Sequence, residues 1–171
     1  LPYFFEDPIA PDSVMTMGEI GEKVNIPLAV GERNNTIWEF REYCTLPGVN
    51  FLKPDIGLSG GFTHTKKIAA VAESFHIKMA PHHFLGPIAT MALTHIATAT
   101  PNWDVNEFIV ESDTFKEEIV TNITEVKDGY FIPPEVPGLG IDINVDEMLK
   151  NPYDVGAGEN SRRPDGGLTL G

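Results

Sequence analysis

The chain has 171 residues, 42% of them hydrophobic and 22% charged, which describes one soluble globular domain rather than a disordered segment. Twelve Lys and Arg against 25 Asp and Glu leave a net charge of −13, which excludes nucleic acid or an anionic membrane as the main partner. One cysteine, Cys44, excludes an intrachain disulfide and points to a reducing, cytoplasmic setting, and no apolar run reaches the roughly 18 residues of a membrane span.

The chain opens on Leu1 rather than Met, directly into an apolar run at residues 2–5 that reads as a buried strand, so further sequence is expected upstream. Residues 13–23 place Val14, Met17 and Ile20 on one side of a helix, and residues 26–30 read as a second strand. Thr36 and Glu39 have the spacing of a capping box, which predicts a helix over 37–43, followed by a third strand at 49–52. Residues 62–75 carry Ile68, Val71, Ala72 and Phe75 at helical spacing, and a fourth strand follows at 77–80. The helix at 87–99 starts on a first-turn proline, and 105–109 reads as a fifth strand. From about Lys127 the chain is rich in turn residues, as in Pro137-Gly-Leu-Gly and Arg162-Arg-Pro-Asp-Gly-Gly. Two parts are therefore expected: 1–126 as the C-terminal part of a catalytic domain, and 127–171 as an extended segment packing outside it or on a capping domain.

Strand and helix alternate, which predicts βαβ units and a parallel sheet. Each strand ends on an ionisable residue, Glu6, Glu32, Asp55, His82 and Glu107, at intervals of 26, 23, 27 and 25 residues. One strand and one helix per 25 to 30 residues, roughly, suits an eight-unit (β/α) barrel. A doubly wound sheet has similar spacing but favours glycine-rich phosphate loops, and no G-x-G-x-x-G occurs here. The expected fold is α/β, a partial TIM-type barrel of about the last five strands with a turn-rich C-terminal segment. In a barrel the five residues would converge on one mouth, where four carboxylates repel one another unless a divalent cation joins them. Hard oxygen donors suit magnesium. The residues themselves thus predict a carboxylate-bound metal with a histidine nearby.

Phe5-Glu6-Asp7-Pro8, Val30-Gly31-Glu32-Arg33, Lys53-Pro54-Asp55, Ala80-Pro81-His82 and Asn106-Glu107-Phe108 fall in order at unit spacing. Together they resemble the strand-end motifs of the enolase superfamily, most of all the mandelate-racemase subgroup and its galactonate-dehydratase-like members. Thr36-Ile-Trp-Glu-Phe-Arg, Gly60-Gly-Phe-Thr, Leu85-Gly-Pro and Pro137-Gly-Leu-Gly fit the same group. The resemblance implies Mg2+ held by Glu6 and Glu32, with a third ligand upstream of Leu1. It implies an Asp55–His82 dyad that removes the proton alpha to a carboxylate, and a Glu107 that hydrogen-bonds the developing enolate. The implied reaction is dehydration of an acid sugar to a 2-keto-3-deoxy acid by a lyase. A racemase or epimerase of a 2-hydroxy acid on the same metal site, and a non-catalytic half-barrel, are the alternatives. The implied partners are a small-molecule acid sugar, the N-terminal half of the same protein, and further copies in a homo-oligomer.

His82 is favoured over His83 as the base because adjacent strand residues point to opposite sides. His83 is a candidate for substrate contact. Arg33 reaches the ligands or the substrate, or else forms a structural ion pair. Lys53 shares the face of Asp55 one layer deeper and is given no catalytic role. Asp7 and Glu111 read as structural or solvated, His95 as a satisfied core histidine, and Cys44 as packing.

Overall fold

The computed structural model describes residues 1–11, 13–108, 116–123 and 125–150. The first four apolar runs form one parallel sheet: β1 (Phe5–Glu6), β2 (Leu28–Val30), β3 (Val49–Leu52) and β4 (Lys78–Met79). The strands lie side by side in chain order, β1-β2-β3-β4. Helices α1 (Val14–Gly21), α2 (Ile37–Cys44) and α3 (Gly61–Ser74) connect them, and α4 (Pro87–Thr98) follows β4. Strands laid down in sequence order without reversal are the build of a (β/α) barrel; a doubly wound sheet reverses order at its switch point. The fold is α/β, an arc of a (β/α) barrel.

The fifth run departs from expectation. Residues 105–108 form no strand; a single parallel bridge joins Trp103 to Met79, two residues before the predicted start. Met79 N–H donates to Asn102 O, Asp104 N–H to Met79 O, and Glu107 N–H to Pro81 O at 3.4 Å. The segment runs along β4, but the bonds that hold it gather around Trp103 and leave 105–108 outside a regular ladder. Ile109 and Glu111 lie outside the described residues, as does 151–171 with its Arg162-Arg-Pro-Asp-Gly-Gly sequence.

Side chains alternate across the sheet, as pleating requires. Leu28, Val30, Leu52 and Met79 face the helices, in a core with Met17, Phe40, Tyr43, Ile68 and Ala72. Ala29, Phe51 and Ala80 face the other way and pack with Phe4 as a separate inner layer. The helices start where side-chain chemistry permits. Ser13 Oγ accepts from Thr16 N–H before α1. Before α2, Thr36 Oγ1 accepts from Glu39 N–H while the Glu39 carboxylate accepts from Thr36 N–H at 2.8 Å, the predicted capping box. His64 on α3 accepts from Ile37 N–H at 3.3 Å, which ties α3 to the first turn of α2.

The later chain forms short elements: α5 (Lys116–Ile119), β5 (Val120–Thr121), β6 (Glu125–Lys127), β7 (Tyr130–Ile132), β8 (Asp142–Ile143) and α6 (Val145–Lys150). β6 and β7 make a hairpin whose two turn residues, Asp128 and Gly129, both have positive φ, 52° and 83°. That is the geometry for which Asp-Gly is suited. β5 pairs with β8. Leu139 packs against the cluster of Ile56, Ala92, Leu93 and Ile96, and its carbonyl lies 3.0 Å from His95 Nε2. His95 is thus satisfied, through the tail's backbone. Among the described residues no helix is long and apolar enough to cross a membrane.

Candidate active site

The inner layer of Phe4, Ala29, Phe51 and Ala80 fixes what lies above it. Two residues further along each strand, the same face carries Glu6 after Phe4, Lys53 and then Asp55 after Phe51, and His82 after Ala80. After β2 the chain turns at Gly31, with φ +126°, where a Cβ would meet Phe40 Cε1 at 2.5 Å. Only glycine fits there, and the turn presents Glu32.

His82 Nδ1 lies 2.9 Å from Asp55 Oδ2. Asp55 is 1% exposed, and its other oxygen, Oδ1, accepts from Gly57 N–H at 2.7 Å and Leu58 N–H at 3.1 Å. With Oδ1 committed to the backbone, Oδ2 is the atom that accepts the hydrogen bond from the imidazole N–H. In the neutral ring the proton therefore sits on Nδ1, and Nε2 keeps its lone pair. Nε2 points toward the mouth, 3.8 Å from Glu32 Oε2. The Phe84 ring stands edge-on to the imidazole, with ring centres 4.8 Å apart.

Glu6 and Glu107 meet at Lys53, whose Nζ lies 3.2 Å from Glu6 Oε1 and 3.4 Å from Glu107 Oε2. Glu107 Oε2 also accepts from His83 N–H at 3.0 Å. Lys53 is 3% exposed, with its ammonium 5.5 Å from the centre of the Phe4 ring. Asp7, next to Glu6, has its carboxyl pushed up to about 6 by burial and by the charges of Glu32 and Glu6. The mouth is therefore a region of concentrated negative potential that a cation would relieve. Among the described residues no group of three or more His, Cys, Asp or Glu could hold a metal ion unaided. Glu6 and Glu32 offer two carboxylates from adjacent strands, and that donor chemistry fits part of a hard-cation site.

All five strand-end residues thus fall at one end of the sheet. Arg33 lies beside Glu32, Nε to Oε1 at 3.4 Å, on a half-exposed side chain. His83, a candidate for substrate contact, is 2% exposed and its Nε2 is 2.7 Å from Thr90 Oγ1 on α4. The alternation that turns His82 inward turns His83 outward, so it is the backbone N–H of His83 that reaches the mouth. Two residues given no catalytic role in the sequence, Asp7 and Lys53, matter to the electrostatics. The signal for Lys53 is its two-residue step from Phe51 on one side and Asp55 on the other. A cavity of about 700 Å3 lies elsewhere, between α4, the Trp103–Phe108 segment and the β6–β7 hairpin, and contains none of the strand-end residues.

The sequence and the fold have counterparts. The chain belongs to the Enolase C-terminal domain-like family, which it matches over residues 1–148. It is 34% identical to the D-galactonate dehydratase of Ralstonia pickettii over 154 residues, 86% of this chain and 40% of that protein. It is 29% identical to a D-galactonate dehydratase family member of Streptomyces bingchenggensis over 169 residues, 98% of this chain and 41% of that one. The crystal structure of a mandelate racemase/muconate lactonizing enzyme from Jannaschia sp. CCS1 superposes with a TM-score of 0.83 at 34% identity, covering 90% of this chain and 39% of that one. That of an enolase from Agrobacterium radiobacter, bound to Na and L-malate, gives 0.87 at 28% identity, covering 98% and 46%. The enolase-superfamily resemblance read from the strand-end motifs stands. The chain spans about 40% of the length of the curated relatives it matches.

Proposed function

We propose that these residues belong to a magnesium-dependent lyase that dehydrates an acid sugar, an aldonate, to a 2-keto-3-deoxy acid. The observation that carries this reading is the dyad: a buried Asp55 with one oxygen saturated by backbone N–H groups and the other 2.9 Å from His82 Nδ1. That arrangement makes Nε2 a directed base in a carboxylate-lined mouth. The names of the D-galactonate dehydratase relatives support the substrate class.

In this reading His82 Nε2 takes the proton alpha to the substrate carboxylate. Asp55 fixes the tautomer that can accept it and stabilises the imidazolium that forms. Glu107, held at Oε2 by Lys53 and the His83 N–H, would stabilise the developing enolate by donating a hydrogen bond from its other oxygen, which requires that oxygen to carry a proton in the reacting complex. The electron pair of the broken C–H bond expels the beta hydroxyl, which leaves as water with a returned proton. The resulting enol tautomerises to the keto acid, and no oxidant is required. Glu6 and Glu32 are the residues that would hold Mg2+, which when bound supplies electrostatic stabilisation of the negative charge built on the substrate carboxylate. The single cysteine supports a cytoplasmic setting.

The test is incubation of these residues, joined to the N-terminal half that the resemblance implies, with an aldonate library and Mg2+ in deuterated water; the 171 residues alone, lacking the third ligand, are expected to be inactive. Keto acid formation is the expected result. Exchange of the alpha proton without keto acid would replace dehydration by racemisation or epimerisation. Neither exchange nor product with any aldonate would remove the reading altogether.

A further inference from the structure

The mouth gathers Glu6, Asp7, Glu32, Asp55 and Glu107, and the one cation buried beneath them among the described residues is Lys53. A lysine side chain is rarely buried unless paired. This one is paired twice, to carboxylates from opposite ends of the arc: Glu6 at the end of β1 and Glu107 on the segment beyond β4. Its ammonium also lies over the Phe4 ring, 5.5 Å from its centre, so the stem is packed and the charge has a fixed address. The two contacts have different consequences. Glu107 Oε2 is gripped by two donors, Lys53 Nζ and His83 N–H, which leaves its other oxygen for the mouth. Glu6 Oε1 is shared with a positive charge 3.2 Å away, and any cation seated on Glu6 must tolerate that charge.

We propose that Lys53 is a positioning residue that ties Glu6 to Glu107, weakening the hold of Glu6 on a divalent cation while fixing Glu107 for the substrate. The inference rests on the reading of Glu6 as a cation ligand and Glu107 as a substrate-facing carboxylate. It assigns Lys53 no proton transfer. Its signature is two effects of opposite sign. Removing the charge tightens metal binding, because a nearby like charge is gone, and lowers turnover, because Glu107 loses one of its two restraints. A residue that mattered only for folding would weaken both.

The experiment compares the parent with Lys53→Met, Lys53→Gln and Lys53→Arg. Mn2+ affinity is measured by calorimetry without substrate, kcat and KM are measured with the aldonate turned over, and thermal unfolding is followed throughout. Lys53→Met is expected to bind Mn2+ about tenfold more tightly. Its kcat falls at least tenfold while KM changes little. Lys53→Arg, which keeps the charge, returns Mn2+ affinity to the parent value. Lys53→Gln supplies the same comparison if the methionine variant does not fold. A thermal double-mutant cycle with Glu107→Gln is expected to show coupling. Unchanged or weaker Mn2+ binding in folded Lys53→Met or Lys53→Gln, or additive effects in the cycle, would overturn the proposal. A kcat unchanged in folded Lys53→Met would likewise overturn it, whereas a parent that turns over no aldonate, with the Mn2+ shift and the coupling both present, would defeat the dehydratase reading and uphold the tie of Lys53 to Glu6 and Glu107 with its effect on the cation.

Discussion

The change Asp55→Asn tests the dyad with the least disturbance, since the two side chains have nearly the same volume. The introduced amide can sit in two ways. If its oxygen stays with the Gly57 and Leu58 N–H groups, its NH2 lands where Oδ2 was, 2.9 Å from His82 Nδ1. That amide donates to Nδ1, the imidazole proton moves to Nε2, and the base loses the lone pair it needs. If the amide flips to restore the correct tautomer, its NH2 opposes two backbone N–H groups at a position where the native side chain is 1% exposed. Each buried donor left without a partner costs about 1–3 kcal/mol, so the flip costs about 4 kcal/mol. At about 1.4 kcal/mol per factor of ten, the productive arrangement is populated at roughly 10⁻³. The expected kcat is therefore about a thousandfold below the parent, with the fold retained. Two measurements check it: steady-state dehydration of the aldonate, and long-range 1H–15N correlation of the His82 ring, which reports the tautomer. A folded Asp55→Asn enzyme within tenfold of the parent kcat, or one whose ring proton remains on Nδ1, would refute the argument.

Glu32→Gln should weaken Mn2+ binding about tenfold or more by calorimetry while leaving the circular dichroism spectrum unchanged; unaltered affinity would take Glu32 out of the ligand set. Thr36→Ala removes the hydroxyl that caps α2 and one of the hydrogen bonds that, against the opposing effect of burial, hold the Glu39 carboxyl below its usual value. It should cost about 1 kcal/mol in denaturant unfolding, and no measurable loss would contradict the capping-box account. Burial pushes the Cys44 thiol from 9.0 up to about 11, so at pH 8 a disulfide reagent should label it only on unfolding. Because the unfolded thiol ionises first, this residue's contribution to stability is complete below pH 9.0 and is lost as pH rises through about 11; Cys44→Ala should flatten that part of the profile.

What is legible in the sequence follows local rules. Apolar runs bounded by turn residues mark β1 to β4, and the Thr36–Glu39 pair marks the start of α2. The interval between strand-end ionisable residues carries the architecture, because a barrel repeats one unit and brings the same end of each unit to one mouth. The fifth run fails because its apolar pattern begins at Val105, whereas the bonds that align it with β4 gather around Trp103 and are set by neighbours distant in sequence. The β6–β7 hairpin escapes the sequence reading although Asp128-Gly129 is a strong hairpin signal. Its strands are short and mostly exposed, so they show no apolar alternation to flank the turn. The two-residue period that favours His82 as the base also accounts for the buried side chain of His83, whose partner Thr90 on α4 is not legible from the sequence.

That same period joins the apolar layer to the chemistry. Phe4, Phe51 and Ala80 lock the inner face by packing, and the residues two steps on inherit their direction without further information. Position and direction of Glu6, Lys53, Asp55 and His82 are thus fixed by the barrel, while their charges are balanced among themselves. Lys53 pairs with Glu6 and Glu107, and Asp55 with His82, but the Asp7 carboxyl still lies high, at about 6, under burial and the charges of Glu32 and Glu6. A face selected only for stability would place apolar side chains at those steps, since burying charge costs more than it returns unless every group is paired. The surplus of carboxylate gathers around Asp7, Glu6 and Glu32, and of these Glu32 lies beside the Nε2 of His82, at 3.8 Å. A cation seated on Glu6 and Glu32 would meet the excess charge at the place where the proposed base acts.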